Sequence, residues 1–224
     1  MRFMFGSSHP EFARMLARLG IVLGTVAITG QYIFFQPLFR QMGLGPVSSA
    51  FGMLMFLTIL TNLMLLAVYW SSLTATPGRI SAFFGQTGVR TALAAHIALV
   101  AIVYVTAIRG QIALTPPMLV TDALLHYLAP AVYLTWWWQL PDKHVLGYSD
   151  VPRWMAWPVV YLCLIMTAGV STGAFIYPIL DVYRLGTDRV VLNIGLILGL
   201  LAAIGAALVF VARLQSAKSK APAR

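Results

Sequence analysis

Charge is what this chain has least of. Only 9% of its 224 residues are charged, against about 25% in an ordinary soluble domain. A surface cannot face water with so few charges, so a soluble globular fold is excluded and lipid becomes the natural surrounding. Acids are scarcer still, at 6 Asp+Glu against 15 Lys+Arg. That excess does not indicate nucleic acid. No cation stands between Arg18 and Arg40, or between Arg40 and Arg79, and the rest fall between apolar runs and at the ends. Cysteine is reduced to one, Cys163, inside an apolar run. This excludes an intrachain disulfide and a cysteine metal cluster, and leaves a small apolar residue facing lipid or core. No cleavable leader is evident, because the first apolar stretch is as long as a full span.

What is present is apolar: 60% hydrophobic residues and a mean hydropathy of +0.84. Six stretches reach the roughly 20 residues needed to cross a bilayer. They are expected near 16–36, 50–70, 89–108, 118–138, 154–174 and 188–212, separated by Pro and Gly: Pro37 to Pro46, Pro77-Gly78, Gly110 to Pro117, Pro141 to Pro152, Pro178 to Gly186. The expected fold is an all-α, six-helix transmembrane bundle over residues 1–213. Residues 214–224 read as a disordered basic tail.

Cation placement orients the bundle. With the N-terminus in the cytoplasm, the inside holds Arg2, Arg14, Arg18, Arg79, Arg90, Lys143, Arg153, Arg213, Lys218, Lys220 and Arg224; the outside holds Arg40, Arg109, Arg184 and Arg189. Eleven against four is a positive-inside bias that puts both termini in the cytoplasm of a cell-membrane protein. Trp136, Trp137, Trp138, Trp154 and Trp157 then read as an aromatic belt at the inner interface. Gly195, Gly199 and Ala203 form a small-residue stripe on the last helix. It suits packing within the bundle, or a homodimer through Gly195 and Gly199.

In an apolar chain the polar intramembrane residues carry the information. Thr25, Thr29 and Thr106 read as hydroxyls bonded to their own helix. Three clusters ask for more. Thr58, Thr61 and Asn62 share one helix face. Asp122 stands one turn before His126, where a carboxylate can accept the ring N–H and set the tautomer, and Pro130 and Tyr133 continue the stripe. The third runs from Thr172-Gly173 to Tyr177-Pro178-Ile179-Leu180-Asp181 at the outer end of helix five. Thr58 and His126 both fall roughly 12 Å below the outer helix ends at 1.5 Å per residue, so the two can meet. A histidine base makes a hydroxyl nucleophilic, and Asn62 could donate to an oxyanion. That would be an acyl-transfer site needing no metal or other cofactor. A structural histidine bonded to a neighbouring helix is the plainer alternative.

At these residues the sequence resembles the androgen-induced-gene-type membrane threonine hydrolases, which cleave fatty acid esters of hydroxy fatty acids, and their bacterial relatives. Phe56-Leu57-Thr58 is similar to the segment bearing the family's threonine nucleophile. The His126 helix, with Pro130 after it, is similar to the segment bearing the catalytic histidine. Thr172-Gly173 through Asp181 resembles the family's Thr-Gly…Tyr-Pro-x-Leu-acid motif, with Asp181 in place of the usual Glu. The resemblance implies Thr58 as nucleophile, His126 as base and acid, Asp122 or Asp181 as its orienting acid, and a lipid ester as substrate. Tyr177 belongs to the same motif.

Two other functions fit the same residues. Asp122 and His126 could line the path of a transporter or the pocket of a lipid-binding protein. His96 and His126, on neighbouring helices, could ligate haem. His9 and His144 read as solvated.

Overall fold

The structure is a computed structural model, and it describes residues 10–74, 77–111, 113–141 and 143–220. Among them every regular element is helical: α1 (Pro10–Gln41), α2 (Pro46–Met53), α3 (Leu57–Leu73), α4 (Arg79–Gly85), α5 (Thr87–Val103), α6 (Pro116–Ala123), α7 (Ala129–Trp138), α8 (Val151–Thr172), α9 (Val182–Leu185) and α10 (Thr187–Lys220). A π turn over Tyr104–Ile108 extends α5, and another over Leu124–Leu128 joins α6 to α7. Five helical runs are long and apolar enough to cross a membrane. The pair α2 and α3, bent by 82° at a short break, makes a sixth if it is counted as one span.

The chain thus differs from six straight rods. Residues 54–56 interrupt the second span although no Pro or Gly lies there. α10 continues to Lys220, so residues 214–220 are helical where the sequence predicts a disordered tail; 221–224 lie outside the described residues, as do Arg2 and His9. α1 runs through Pro37 rather than stopping there.

The largest core cluster lies between α1, α3, α5 and α7, around Tyr69, Tyr133 and Trp136. Gly20 lets α1 approach it: a Cβ there would stand 2.2 Å from the Tyr69 ring. Trp136, Trp137 and Trp154 are buried in the bundle; only Trp138 of the triple is exposed. Trp137 donates to Thr91 Oγ1 at 2.9 Å, and Arg90 lies over Trp136. An indole N–H in an apolar core needs such an acceptor, and Thr91 supplies it.

The outward faces carry Val22, Val26, Leu164, Leu192 and Leu196, all exposed, as lipid contact requires. Cys163 is also exposed. Gly195 and Gly199 meet nothing within 4 Å of a built Cβ, so this stripe does not pack inside the bundle.

Candidate active site

The site is assembled by two departures from regular helix. The first is the break before α3. Phe56 is extended at the N-cap, and α3 begins at Leu57, so Thr58 is its second residue. The Leu57 N–H finds two phenol oxygens, Tyr161 and Tyr177, each at 3.0 Å. The Met55 carbonyl accepts from the Tyr161 hydroxyl at 2.7 Å. These bonds replace the backbone partners that a continuous helix would supply, and they let the chain turn inside an apolar bundle.

The second departure is the π turn at Leu124–Leu128. In an α-helix the ring of Pro130 would clash with the carbonyl of residue 126, and Pro has no N–H to bond it. The helix widens just before Pro130, with Ala129 N–H bonded to the Leu124 carbonyl, five residues back. Such π turns recur at functional sites because they re-aim side chains. The one here carries His126.

Thr58 Oγ1 and His126 Nε2 stand 3.2 Å apart. The other ring nitrogen, Nδ1, faces only acceptors: Asp122 Oδ1 at 3.1 Å and the Asp122 carbonyl at 3.0 Å. The proton of a neutral imidazole is therefore assigned to Nδ1, and the Nε2 lone pair is left to accept from Thr58. Asp122 is held in turn by the Tyr104 hydroxyl, which donates to its Oδ2. The Tyr104 ring stacks on His126 with centroids 3.7 Å apart and planes 13° from parallel. Tyr104 opens the π turn that ends α5. Asp122, His126 and Tyr104 are all buried.

A narrow groove with room for about 60 Å³ runs between α5, α8 and α10, and Thr58 is part of its wall. The lining is aliphatic, from Leu99, Val103, Leu162, Ile165 and Ile197 among others. Its polar groups are the hydroxyls of Thr58, Tyr104, Tyr161 and Tyr177, and it includes no charged side chain. Thr58 thus lies between the groove and the imidazole. The N–H groups of Thr58 and Ile59, in the first turn of α3, have no intrahelical acceptor and point back toward the break. The positive end of the helix dipole adds to them.

The segment from Thr172 to Asp181 also takes a physical form. Gly173 has φ of +72°, the left-handed conformation that ends a helix, and it terminates α8. Phe175 folds back so closely that a Cβ on Gly169 would lie 2.4 Å from its ring. The returning chain brings Tyr177 to Leu57.

Three expected supporting residues fare differently. Asp122 orients the histidine. Asp181 does not: its carboxylate caps α9, accepting from the N–H groups of Tyr183 and Arg184 at 3.0 and 3.1 Å. Asn62 is buried, and its amide donates to the Thr58 carbonyl at 2.8 Å, one turn back on its own helix. It faces a small cavity against Gly20 and Ala129 rather than the groove. Thr61 is buried beside it with no partner for its hydroxyl. Tyr104 and Tyr161 are parts of the site that sequence reasoning missed. The signal for both was a hydroxyl inside an apolar run, Tyr161 midway along α8 and Tyr104 near the end of its span.

Among the described residues, no group of three or more His, Cys, Asp or Glu could hold a metal ion. His96 is bonded to the Trp154 carbonyl at 2.8 Å, and His126 to Thr58, so the two imidazoles engage separate partners. His144 is exposed. Comparison with protein-family models, with curated proteins and with solved structures found no match to this chain.

Proposed function

We propose that this chain is an intramembrane hydrolase of lipid esters, with Thr58 as nucleophile and His126 as general base and acid. One observation carries the reading: the ordered chain Thr58–His126–Asp122–Tyr104, in which each group has the partner its chemistry needs. A hydroxyl is a weak nucleophile until a base takes its proton. An imidazole protonated on Nδ1, facing a carboxylate, offers that base and tolerates the charge it gains. Resemblance of three segments to the androgen-induced-gene-type threonine hydrolases supports the same roles for Thr58 and His126.

The proposed steps are these. Thr58 Oγ adds to the ester carbonyl carbon as its proton passes to His126 Nε2. The tetrahedral oxyanion is met by N–H groups at the start of α3. Collapse breaks the ester C–O bond, and His126 returns the proton to the departing alcohol. Water then attacks the acyl-threonine, again losing its proton to His126, and collapse releases the fatty acid and restores the Thr58 hydroxyl. No step requires a metal. The aliphatic groove favours an acyl chain taken from the membrane.

The finer topology belongs to the same proposal. Counted with α2 and α3 as one bent span, the chain crosses six times, both termini are cytoplasmic, and Thr58 opens toward the outer leaflet of a cell membrane. Wild-type protein in detergent should release fatty acid from long-chain esters, and the Thr58→Ala and His126→Ala variants, expressed at equal level, should not. Wild type that cleaves none of a panel of acyl esters overturns the proposal. Transport with no hydrolysis would favour the transporter reading.

A further inference from the structure

We infer that Tyr177 is a catalytic residue, the side-chain donor to the oxyanion that forms beside Thr58; this rests on the hydrolase reading above. The inference comes from counting protons in the hydroxyl cluster at the break. Tyr161 has one, directed mainly at the Met55 carbonyl at 2.7 Å and, at the longer 3.2 Å, at Tyr177 Oη. Leu57 has one N–H, shared between the two phenol oxygens. Tyr104, the other phenol in the groove wall, gives its proton to Asp122. Among the described residues, Tyr177 has no carbonyl or carboxylate to donate to. Tyr161 Oη, 3.2 Å away, is the donor in their contact, so the Tyr177 oxygen accepts from Tyr161 and Leu57 while its own proton is left over. Tyr177 and Thr58 line the same groove. Tyr177 Oη touches the backbone N–H of the residue adjoining Thr58.

A groove lined by aliphatic groups holds one phenol proton without a strong acceptor, next to the nucleophile. Turning it to a developing oxyanion needs only rotation about the C–O bond. The oxygen stays bonded to Leu57, so the donor is fixed before the substrate arrives. This is the preorganisation that makes an oxyanion donor effective in a dry site. Tyr161, its proton spent on Met55, is a positioning residue that holds the break.

The test is Tyr177→Phe, because Tyr161 still accepts from Leu57 and the fold can persist. Three quantities are read: kcat and KM on a long-chain ester; affinity for the matching alkyl trifluoromethyl ketone, which forms an oxyanion on Thr58; and affinity for the matching ether, which forms none. The expected outcome is a kcat about 10²- to 10³-fold lower with KM little changed. Ketone affinity should fall in step, and ether affinity should not move. Equal kcat in variant and wild type overturns the assignment, and so does a loss of ether affinity parallel to that of the ketone. As a second variant, 3-fluorotyrosine at 177 keeps the ring and its contacts and makes the hydroxyl a stronger donor, so kcat should rise; an unchanged kcat counts against the role. Wild type that cleaves no ester overturns the hydrolase reading itself, whereas an active wild type matched by Tyr177→Phe overturns only Tyr177.

Discussion

Thr58 Oγ1 stands 3.2 Å from His126 Nε2, although 68 residues separate them in the chain. Neither lies in the interior of a regular helix. Thr58 is in the first turn after a break, and His126 is in a π turn forced by Pro130. The contact is therefore made by two local departures whose causes lie elsewhere in the sequence.

Pro130 is the first of these causes. Pro130→Ala removes the ring that keeps the helix from closing, and the π turn should tighten to α. His126 then rotates away from Thr58. The expected result is ester hydrolysis reduced about 100-fold, since a displacement of 1 Å can cost that much. The melting temperature should be unchanged or higher. A variant that keeps full activity would show that Pro130 does not set the imidazole.

Asp122 should matter more than Tyr104. Asp122→Asn leaves the ring free to take the other tautomer, and kcat should fall about 10³- to 10⁴-fold. Tyr104→Phe keeps the stack on His126 and removes only the hydrogen bond to Asp122. Its cost should be on the order of tenfold, as for one bond to a charged group. Steady-state kinetics of the two variants beside Asp181→Asn separates the acids, because Asp181 caps α9 and its loss should leave kcat within about twofold.

How much of this could be read from the sequence depends on what makes a residue conspicuous. Thr58, Asp122 and His126 are polar in apolar runs, and the i, i+4 spacing of the last two predicts their contact. The break at 54–56 could not be read, because nothing in Leu54-Met55-Phe56 disfavours helix. It is held by phenols more than a hundred positions away. Tyr161 stands midway along α8, and nothing local in its run points to a backbone break on a distant helix as its partner. Asn62 was misjudged because an amide in an apolar helix finds its own backbone more readily than a substrate. Trp136 and Trp137 are covered by the bundle, and a tryptophan run near a span end does not reveal that covering.

Gly173 couples fold to site. At φ of +72° a Cβ is strained, so Gly173→Ala should cost about 1–2 kcal/mol of stability. The same strain displaces the return that carries Tyr177. Activity should fall more than the shift in denaturation midpoint explains. Gly20→Ala serves as a contrast, because it crowds Tyr69 in the core, away from the groove, and destabilises by about 1–3 kcal/mol. In that variant the kcat of the folded fraction should be preserved.

Lys143 gives a pH dependence outside the spans. It is buried and donates to the Trp137 and Trp138 carbonyls at 2.9 and 2.8 Å, at the end of α7. Burial pushes its ammonium down from 10.5 to about 8. Between those values the unfolded chain binds the proton more fully than the folded one, so stability rises with pH across the window. Below about pH 8 both states are protonated and the cost of burying the cation stands in full. Thermal melting from pH 7 to 10 should show wild type gaining on Lys143→Met as pH rises. A difference that is flat across the range would contradict the buried cation.

The most direct measurement of the central claim is the site of covalent modification. Protein treated with an alkyl fluorophosphonate should carry one adduct, found by peptide mass spectrometry on Thr58. It should be absent from Thr58→Ala and reduced at least about 100-fold in rate in His126→Ala. No adduct on wild type, or an adduct on a residue other than Thr58, would contradict the claim that His126 activates this hydroxyl.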